Sequence, residues 1–204
     1  MGEDWKKFSI EDDIDEQMFS VWIQSVLLLP GVGRKKAWKV FEEFPSEITT
    51  SSEFVNFLCD KAKEIKRFPK LDAPLIHAKI NDAKILLAKS IGLKNGSVIN
   101  FRNFPRKLKN LDDPPLLLHY IGDKSLFNHD SVAVVGSREP SEFGRKSAIE
   151  FAKSICREEK AVVSGLALGC DTAAHRGALE ANGKTIAVLA HGLDSICPPE
   201  NRQL

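Results

Sequence analysis

The sequence predicts an α/β protein in which a small all-α domain precedes a parallel β-sheet with its helices. Over about the first 90 residues, apolar residues recur at three- and four-residue spacing, as in amphipathic helices. Beyond about residue 130, short β-branched runs that end at glycine alternate with amphipathic helical segments. This alternation favours a parallel sheet, because parallel strands are joined by long crossovers that are usually helical.

The helical domain is predicted over residues 17–90, after an acidic and flexible terminus at residues 1–16. Two of its later helices are expected at residues 53–68 and 73–92, with a break at Pro69. The domain is therefore expected to be a small bundle of short helices.

A tight turn, Pro30-Gly31-Val32-Gly33, joins the first two helices of this domain. Gly31 and Gly33 allow backbone N–H groups to point outward at the start of the second helix, next to Arg34, where a DNA phosphate can approach. This pattern is typical of helix-hairpin-helix (SAM-like) domains that bind DNA without sequence preference. An ordinary αα-hairpin kept only for packing has the same turn, and the pattern leaves both interpretations open.

The second domain is predicted over residues 91–204, where a linker rich in glycine and proline leads into the α/β part. A short strand is expected in the linker at residues 97–101. Strand, helix, strand, helix and strand then follow at residues 131–135, 141–156, 161–164, 171–181 and 185–190. This order is half of a doubly wound sheet, so the fold class is an incomplete, three-layer, Rossmann-like parallel sheet.

The first candidate binding loop is Gly136-Ser137-Arg138, which follows a buried strand. Open parallel sheets bind ligands beyond the carboxyl ends of their strands. Gly136 permits close backbone approach, while Ser137 and Arg138 offer a hydroxyl and a guanidinium that suit phosphate oxygens. Ser141 is a candidate N-cap whose helix would direct free N–H groups to the same place. The alternative is an arginine that only faces solvent.

The second candidate loop repeats this geometry one strand further on and should line the same crevice. It contributes Ser164, Gly165, Leu166, Gly169 and Asp171 to the predicted nucleic-acid or phosphate site. Asp171 is interpreted as a helix N-cap in preference to a ligand contact, since a carboxylate would repel a phosphate in front of it. His175 is interpreted as a packed histidine in preference to one that faces the crevice.

The charge is unevenly distributed along the chain, although the formal net charge is only +1. Residues 1–60 carry a net charge of −6, residues 61–110 carry +10, and residues 111–204 carry −3. A basic block of this kind indicates a polyanionic partner, because clustered lysines and arginines displace counterions from phosphates. A solvated helix face is the alternative.

Several classes of function are disfavoured. A dinucleotide-binding glycine fingerprint, a P-loop, a zinc-ligand spacing and a nucleophile elbow are all missing from the sequence, so neither an enzyme nor a cofactor or metal site is expected. No apolar run is long enough to predict a membrane span. The four cysteines are widely spaced, which favours a reduced, cytoplasmic protein.

Four stretches match the DNA-processing protein A family, also called Smf, in order and spacing. They are FPRKLKNLDDPP at 104–115, VGSR at 135–138, SGLALGCDTAAH at 164–175 and GKTIAVLAHGLD at 183–194. The sequence is therefore identified as a member of this family by resemblance. The resemblance implies an extended Rossmann fold that binds single-stranded DNA without catalysis, with the Gly-Ser-Arg loop on a phosphate. It further implies protection of incoming strands during natural transformation and help in loading the RecA recombinase.

The sequence departs from the family pattern in three places. Cys197-Pro198 stands where the family has Tyr-Pro, and Cys170 stands where it has Ile. The chain stops at Leu204, before further strands, an Arg-Asn-Arg segment and the homodimer and RecA contacts that the family places there. Three interpretations follow: a fragment, a sheet completed by another chain, or a degenerate activity.

Two other kinds of function stand beside single-stranded DNA binding. One is a nucleotide-binding enzyme or sensor of a related Rossmann-like family, which would bind mononucleotides as well as it binds oligonucleotides. The other is an interaction module whose partner supplies the rest of the sheet.

Overall fold

The structure, a computed structural model, describes residues 14–93 and 96–204, and the acidic terminus expected at residues 1–16 lies mostly outside them. The chain divides into two compact units, with the boundary between Ile121 and Gly122. Among the described residues, no helix is long and apolar enough to cross a membrane. Each unit is built around its own core.

The first unit contains four longer helices and a two-stranded antiparallel sheet. Its elements are α1 (Ile14–Leu27), α2 (Arg34–Phe41), α3 (Ser51–Glu64), α4 (Ala73–Ile91), β1 (Gly96–Asn100), α5 (Arg106–Lys109) and β2 (Leu117–Ile121). Local sequence determines where two of the helices begin. The Thr50 hydroxyl accepts the Glu53 N–H while the Glu53 carboxylate accepts the Thr50 N–H, a capping box that starts α3. Asp72 caps α4 in a similar way by accepting the Leu75 N–H at 2.8 Å.

The core of this unit is aromatic. Trp22 stacks on Phe54 with 5.0 Å between ring centroids, and Phe19 meets Phe41 edge-on at 5.6 Å. The Arg102 guanidinium lies 3.6 Å above the Phe19 ring, so the segment after β1 packs onto α1. These buried rings each contribute a large apolar surface to the core of a small bundle.

The compact unit extends beyond the predicted limit of residue 90. The Asn100 side chain, at the end of β1, donates to the Glu16 carboxylate at 2.6 Å and to the Ser20 hydroxyl at 3.2 Å, both on α1. β1 pairs with β2 in antiparallel register, with Val98 opposite His119. The segment expected to be a linker is therefore part of the first unit up to Ile121.

The second unit is the Rossmann-like half-sheet that the sequence predicts. Its elements are β3 (Ser131–Ala133), α6 (Glu142–Arg157), β4 (Ala161–Ser164), α7 (Cys170–Glu180) and β5 (Thr185–Ala187). The strands are parallel and lie in the order β3-β4-β5, with Val132 opposite Val162 and Val163 opposite Ile186. Both crossovers are helical, as parallel pairing requires.

The two helices pack together on one face of this sheet. Ala152 and Ile155 of α6 and Ala174 and Ala178 of α7 join one buried cluster with Val162 of β4. A second helical layer, which a three-layer arrangement would have, is absent from residues 122–204. Val135 and Val188, just beyond β3 and β5, are 75% and 61% exposed.

His175 is packed inside this unit, as expected, and its hydrogen bonds identify its tautomer. The Thr185 hydroxyl donates its only proton to the Val162 carbonyl at 3.0 Å, so it can only accept from Nδ1–H of His175, which lies 2.7 Å away. The Nε2 atom is buried without a hydrogen-bond partner. Burial lowers the pKa of His175, and the Asp171 carboxylate one helical turn away opposes this shift.

We predict that stability falls in acid because of His175. Its pKa in the folded state lies below the ordinary value of 6.5, so the unfolded chain takes up the proton first. The stabilisation is complete above about pH 6.5 and is lost as the pH falls below it. Urea unfolding followed by circular dichroism between pH 8 and pH 5 should show this decline, and His175→Gln should flatten it. The three tryptophans all precede residue 39, so their fluorescence reports the first unit, where burial also lowers the pKa of His119; His175→Gln should leave that signal unchanged.

The matched control is His77→Gln, which removes an exposed imidazole from α4. An identical pH profile for wild type and His175→Gln would show that this histidine does not couple folding to pH.

A second prediction concerns Gly169, which has φ +83°. A Cβ added there would lie 2.4 Å and 2.5 Å from the carbonyl oxygens of Ser137 and Arg138. Gly169→Ala should therefore lower the free energy of unfolding by about 2 kcal/mol or more, since positive φ and a backbone clash both oppose a side chain. Urea unfolding measures this directly.

Gly144→Ala is the control for that substitution. Its added Cβ would make ordinary contacts of 3.5 Å with Pro140 and Ser141 inside the first turn of α6, so the change should be neutral or slightly stabilising. If the two alanine variants were equally stable, the close approach at Gly169 would not be a constraint on the fold.

Candidate nucleic-acid interface

The two predicted loops meet at the carboxyl edge of the three-stranded sheet. The Gly-Ser-Arg loop (residues 136–138) follows β3, and a second loop (residues 165–169) follows β4. The Ser164 hydroxyl donates to the Val134 carbonyl at 2.7 Å, which ties the ends of the two strands together. Val134 N–H donates in turn to the Val163 carbonyl at 2.9 Å. The sheet pairing thus continues to the point where the loops begin.

Backbone contact then holds the loops against each other. The Cys170 N–H donates to the Ser137 carbonyl at 3.0 Å. Gly136 also lies close to Cys170, since a Cβ on this glycine would be 2.7 Å from the cysteine Sγ. Ser137, Arg138 and Gly169 are therefore neighbours, as the sequence predicts from the order of the strands.

The Gly-Ser-Arg loop presents unused polar groups to solvent. The Ser137 hydroxyl accepts the Glu139 N–H at 3.0 Å, which leaves its proton available to another acceptor. Arg138 is exposed, and within the described part of the chain its guanidinium has neither an ion pair nor a hydrogen bond. Ser141 is the N-cap of α6 and accepts the Gly144 N–H at 3.1 Å, as expected.

Asp171 does not cap α7, so this expectation is wrong. The N-cap of α7 is Gly169, which offers no side chain, and Asp171 lies in the first turn. Its carboxylate, in an 8% exposed residue, accepts the N–H groups of Gly165 and Ala167 at 3.1 Å and 3.3 Å. The second loop therefore satisfies two of its amides internally, and those amides are not free for a phosphate.

Sequence reasoning missed the residue that closes this loop from the other side. Asn201 is 3% exposed, and its side-chain N–H groups donate to the Leu166 carbonyl at 2.9 Å and to the Thr172 hydroxyl at 2.8 Å. Leu166 is buried and has φ +60°, a conformation that needs such support from its surroundings. An asparagine in a polar segment near the end of the chain gives no local signal of this role.

The helix-hairpin-helix turn is present in the first unit, but two of the cations beside it, Arg34 and Lys36, are occupied. Gly31 has φ +74°, and Gly33 is the N-cap of α2 without a side-chain cap. Arg34 donates from Nε to one Asp113 carboxylate oxygen at 2.9 Å and from Nη2 to the other, a bidentate pair. Lys36 Nζ donates to the carbonyls of Gly31 and Arg67. Trp38 Nε1 donates to the Pro114 carbonyl at 2.8 Å and fixes the same acidic segment against α2.

The basic block of residues 61–110 is partly neutralised by neighbouring carboxylates. Lys61 pairs with Glu64 at 3.0 Å and with Glu43 at 3.6 Å, and Lys63 pairs with Asp60 at 2.8 Å. These hydrogen-bonded carboxylates raise the pKa of both lysines. Local pairing therefore weakens the field that the composition of this block predicts.

Comparison with known proteins places these features in a family. The family model described as DNA recombination-mediator protein A matches residues 97–204. DNA processing protein DprA of Streptococcus pneumoniae is 46% identical over 101 residues, which are 50% of this chain and 36% of that protein. DNA processing protein DprA of Bacillus subtilis is 38% identical over 107 residues, which are 52% of this chain and 36% of that protein.

The structural comparison covers more of the chain. The crystal structure of DNA processing protein A from Streptococcus pneumoniae matches with a TM-score of 0.66 and 30% identity, over 91% of this chain and 61% of that one. The chain thus spans about a third of the length of the curated relatives and under two thirds of the solved one. Since the family model matches more than half of the residues, this chain belongs to the DNA recombination-mediator protein A family.

Proposed function

We propose that this chain binds single-stranded DNA without catalysis, and that the Gly-Ser-Arg loop contacts a backbone phosphate. The observation that carries the proposal is the unpaired, exposed Arg138 guanidinium beside the Ser137 hydroxyl, at the carboxyl edge of a parallel sheet. Phosphate contacts come from groups of this type and give affinity without reading sequence. The relatives' names, which describe DNA-processing proteins, support the choice of nucleic acid as the ligand.

The proposal gives different roles to the predicted site residues. Gly136, Ser137, Arg138 and the N-terminal turn after Ser141 face solvent and can contact the strand directly. Leu166 and Asp171 are buried and hold the second loop, so their contribution is indirect. Gly169 allows the loops to touch, and Ser164 ties the strand ends.

The biological role follows from this binding as part of the same proposal. A protein that covers single strands would protect incoming DNA and could deliver it to the RecA recombinase during transformation and recombination. Family membership supports this role, and a homodimer would double the contact with one strand. The four cysteines are free thiols, which fits the cytoplasm, where thiols stay reduced.

Arg138→Ala tests the phosphate contact. The dissociation constant for a fluorescein-labelled (dT)20 should rise by roughly five-fold to 150-fold, the equivalent of about 1–3 kcal/mol for a charge-assisted contact. Fluorescence anisotropy at one fixed salt concentration measures it, because salt alone changes the affinity strongly.

The control is Arg157→Ala, which removes the same charge from an exposed arginine in the last turn of α6. That end of the helix lies away from the carboxyl edge, so affinity should stay close to wild type. If dTMP competed as well as the oligonucleotide, or if both alanine variants bound equally, the chain would not be a single-strand binder of this kind.

The hairpin turn in the first unit makes a separate prediction. Because Asp113 occupies Arg34, Asp113→Asn should strengthen (dT)20 binding by about two- to five-fold, in line with the small free energy of an exposed ion pair. Combining it with Arg34→Gln should cancel the gain. Asp112→Asn, which removes the same charge next to the pair, is the control. Equal gains from the two asparagine variants would indicate a general charge effect and no role for Gly31, Gly33 and Arg34.

A further inference from the structure

A cleft of about 160 Å³ lies between α6 and α7 in the second unit. Its walls include Arg145, Ile149, Leu168, Gly169, Arg176 and Glu200. The cleft is much larger than the roughly 10–15 Å³ that one water needs, so its size suits an organic group better than a single ion. Neither the candidate phosphate contact nor the packing of the core uses it.

The cleft combines an apolar wall with a free cation. Ile149 and Leu168 contribute aliphatic surface, and Leu168 is 43% exposed although Leu166, two residues earlier, is buried. Arg176 is exposed on α7 and has no partner among the described residues. Arg145 is held by the Glu142 carboxylate at 3.0 Å, so Arg176 is the more available of the two guanidinium groups.

One end of the cleft lies beside the Gly-Ser-Arg loop. Gly169 is one of its lining residues, and the position of a Cβ on Gly169 would be 2.5 Å from the Arg138 carbonyl oxygen. A strand whose phosphate is bound at the Gly-Ser-Arg loop could therefore continue toward the mouth of the cleft. Close helix packing forms the inner end, since a Cβ on Gly177 would lie 2.5 Å from the Ile149 carbonyl oxygen.

We propose that this cleft is a second nucleotide subsite, which takes a base further along the strand than a trimer bound at Arg138 reaches; the inference rests on the proposed function. The base lies against Leu168 and Ile149, because every base has an apolar face that such a wall can cover. Arg176 contacts the phosphate of that nucleotide. Glu200 repels a phosphate but accepts a hydrogen bond from a ring or amino N–H, so the base and not the phosphate occupies that end.

The length dependence of binding separates the two subsites. The full chain is titrated with (dT)6, and the affinity for (dT)3 is obtained by competition against labelled (dT)6. A hexamer spans both subsites, whereas a trimer fills mainly the one at Arg138. Arg176→Gln should weaken hexamer binding by about five- to ten-fold, as expected for a charge-assisted contact, and trimer binding by less than about two-fold. Leu168→Ser, at a half-exposed position that tolerates a polar residue, should also act on the hexamer alone.

The control is Arg157→Gln, which makes the same charge change at the far end of α6 and should leave both affinities unchanged. If Arg176→Gln and Leu168→Ser bound the hexamer as wild type does while Arg138→Ala did not, the cleft would be excluded and the proposed function retained. If trimer and hexamer were weakened equally by Arg176→Gln, the cleft would again be excluded as a separate subsite. If Arg138→Ala had no effect on either oligonucleotide, the proposed function itself would fail.

Discussion

The backbone contact between the two loops at the carboxyl edge is the constraint on which the candidate site depends. The hydrogen bond from Cys170 N–H to the Ser137 carbonyl is possible only because residue 169 has no side chain. It places the cationic loop after β3 directly beside the start of α7. Without it, the Gly-Ser-Arg loop and the start of α7 would not lie side by side at the carboxyl edge.

Internal hydrogen bonds hold the second loop and use two of its amides, which would otherwise be open to an anion. Buried backbone polar groups must find partners: the Asp171 carboxylate accepts two N–H groups of this loop, and the Asn201 side-chain amide donates to its Leu166 carbonyl. An anion at these amides would have to displace the buried Asp171 carboxylate, and leaving that carboxylate without hydrogen-bond donors would cost free energy. The loop after β3 has no comparable acidic residue folded onto it. The two loops therefore differ in which polar groups are already hydrogen-bonded: a buried carboxylate accepts from the second loop, and the Ser137 hydroxyl accepts from the first.

Much of the fold is predictable from the sequence, because strands and helices in the second unit alternate with strong local signals. The strand at residues 161–164 matches β4 residue for residue, and α6 and α7 begin within one residue of the predicted starts. β2 was missed, because its pairing with β1 is made across an intervening segment with no tight-turn signal. The sequence predicts Asp171 as the N-cap of α7, because aspartate is a favoured N-cap residue. The N-cap is instead Gly169, where only a glycine fits against the neighbouring loop.

Long-range pairing limits how far charge in the sequence predicts a binding surface. The pairing of Arg34 with Asp113, 79 residues away, could not be deduced from the hairpin motif. The +10 segment is the obvious candidate for a polyanion contact, yet several of its lysines face carboxylates. In the segment with a net charge of −3, Arg138 and Arg176 have no acidic partner among the described residues. A phosphate gains most from a cation that is not already neutralised, so net charge along the sequence is a poor guide to where a polyanion gains most.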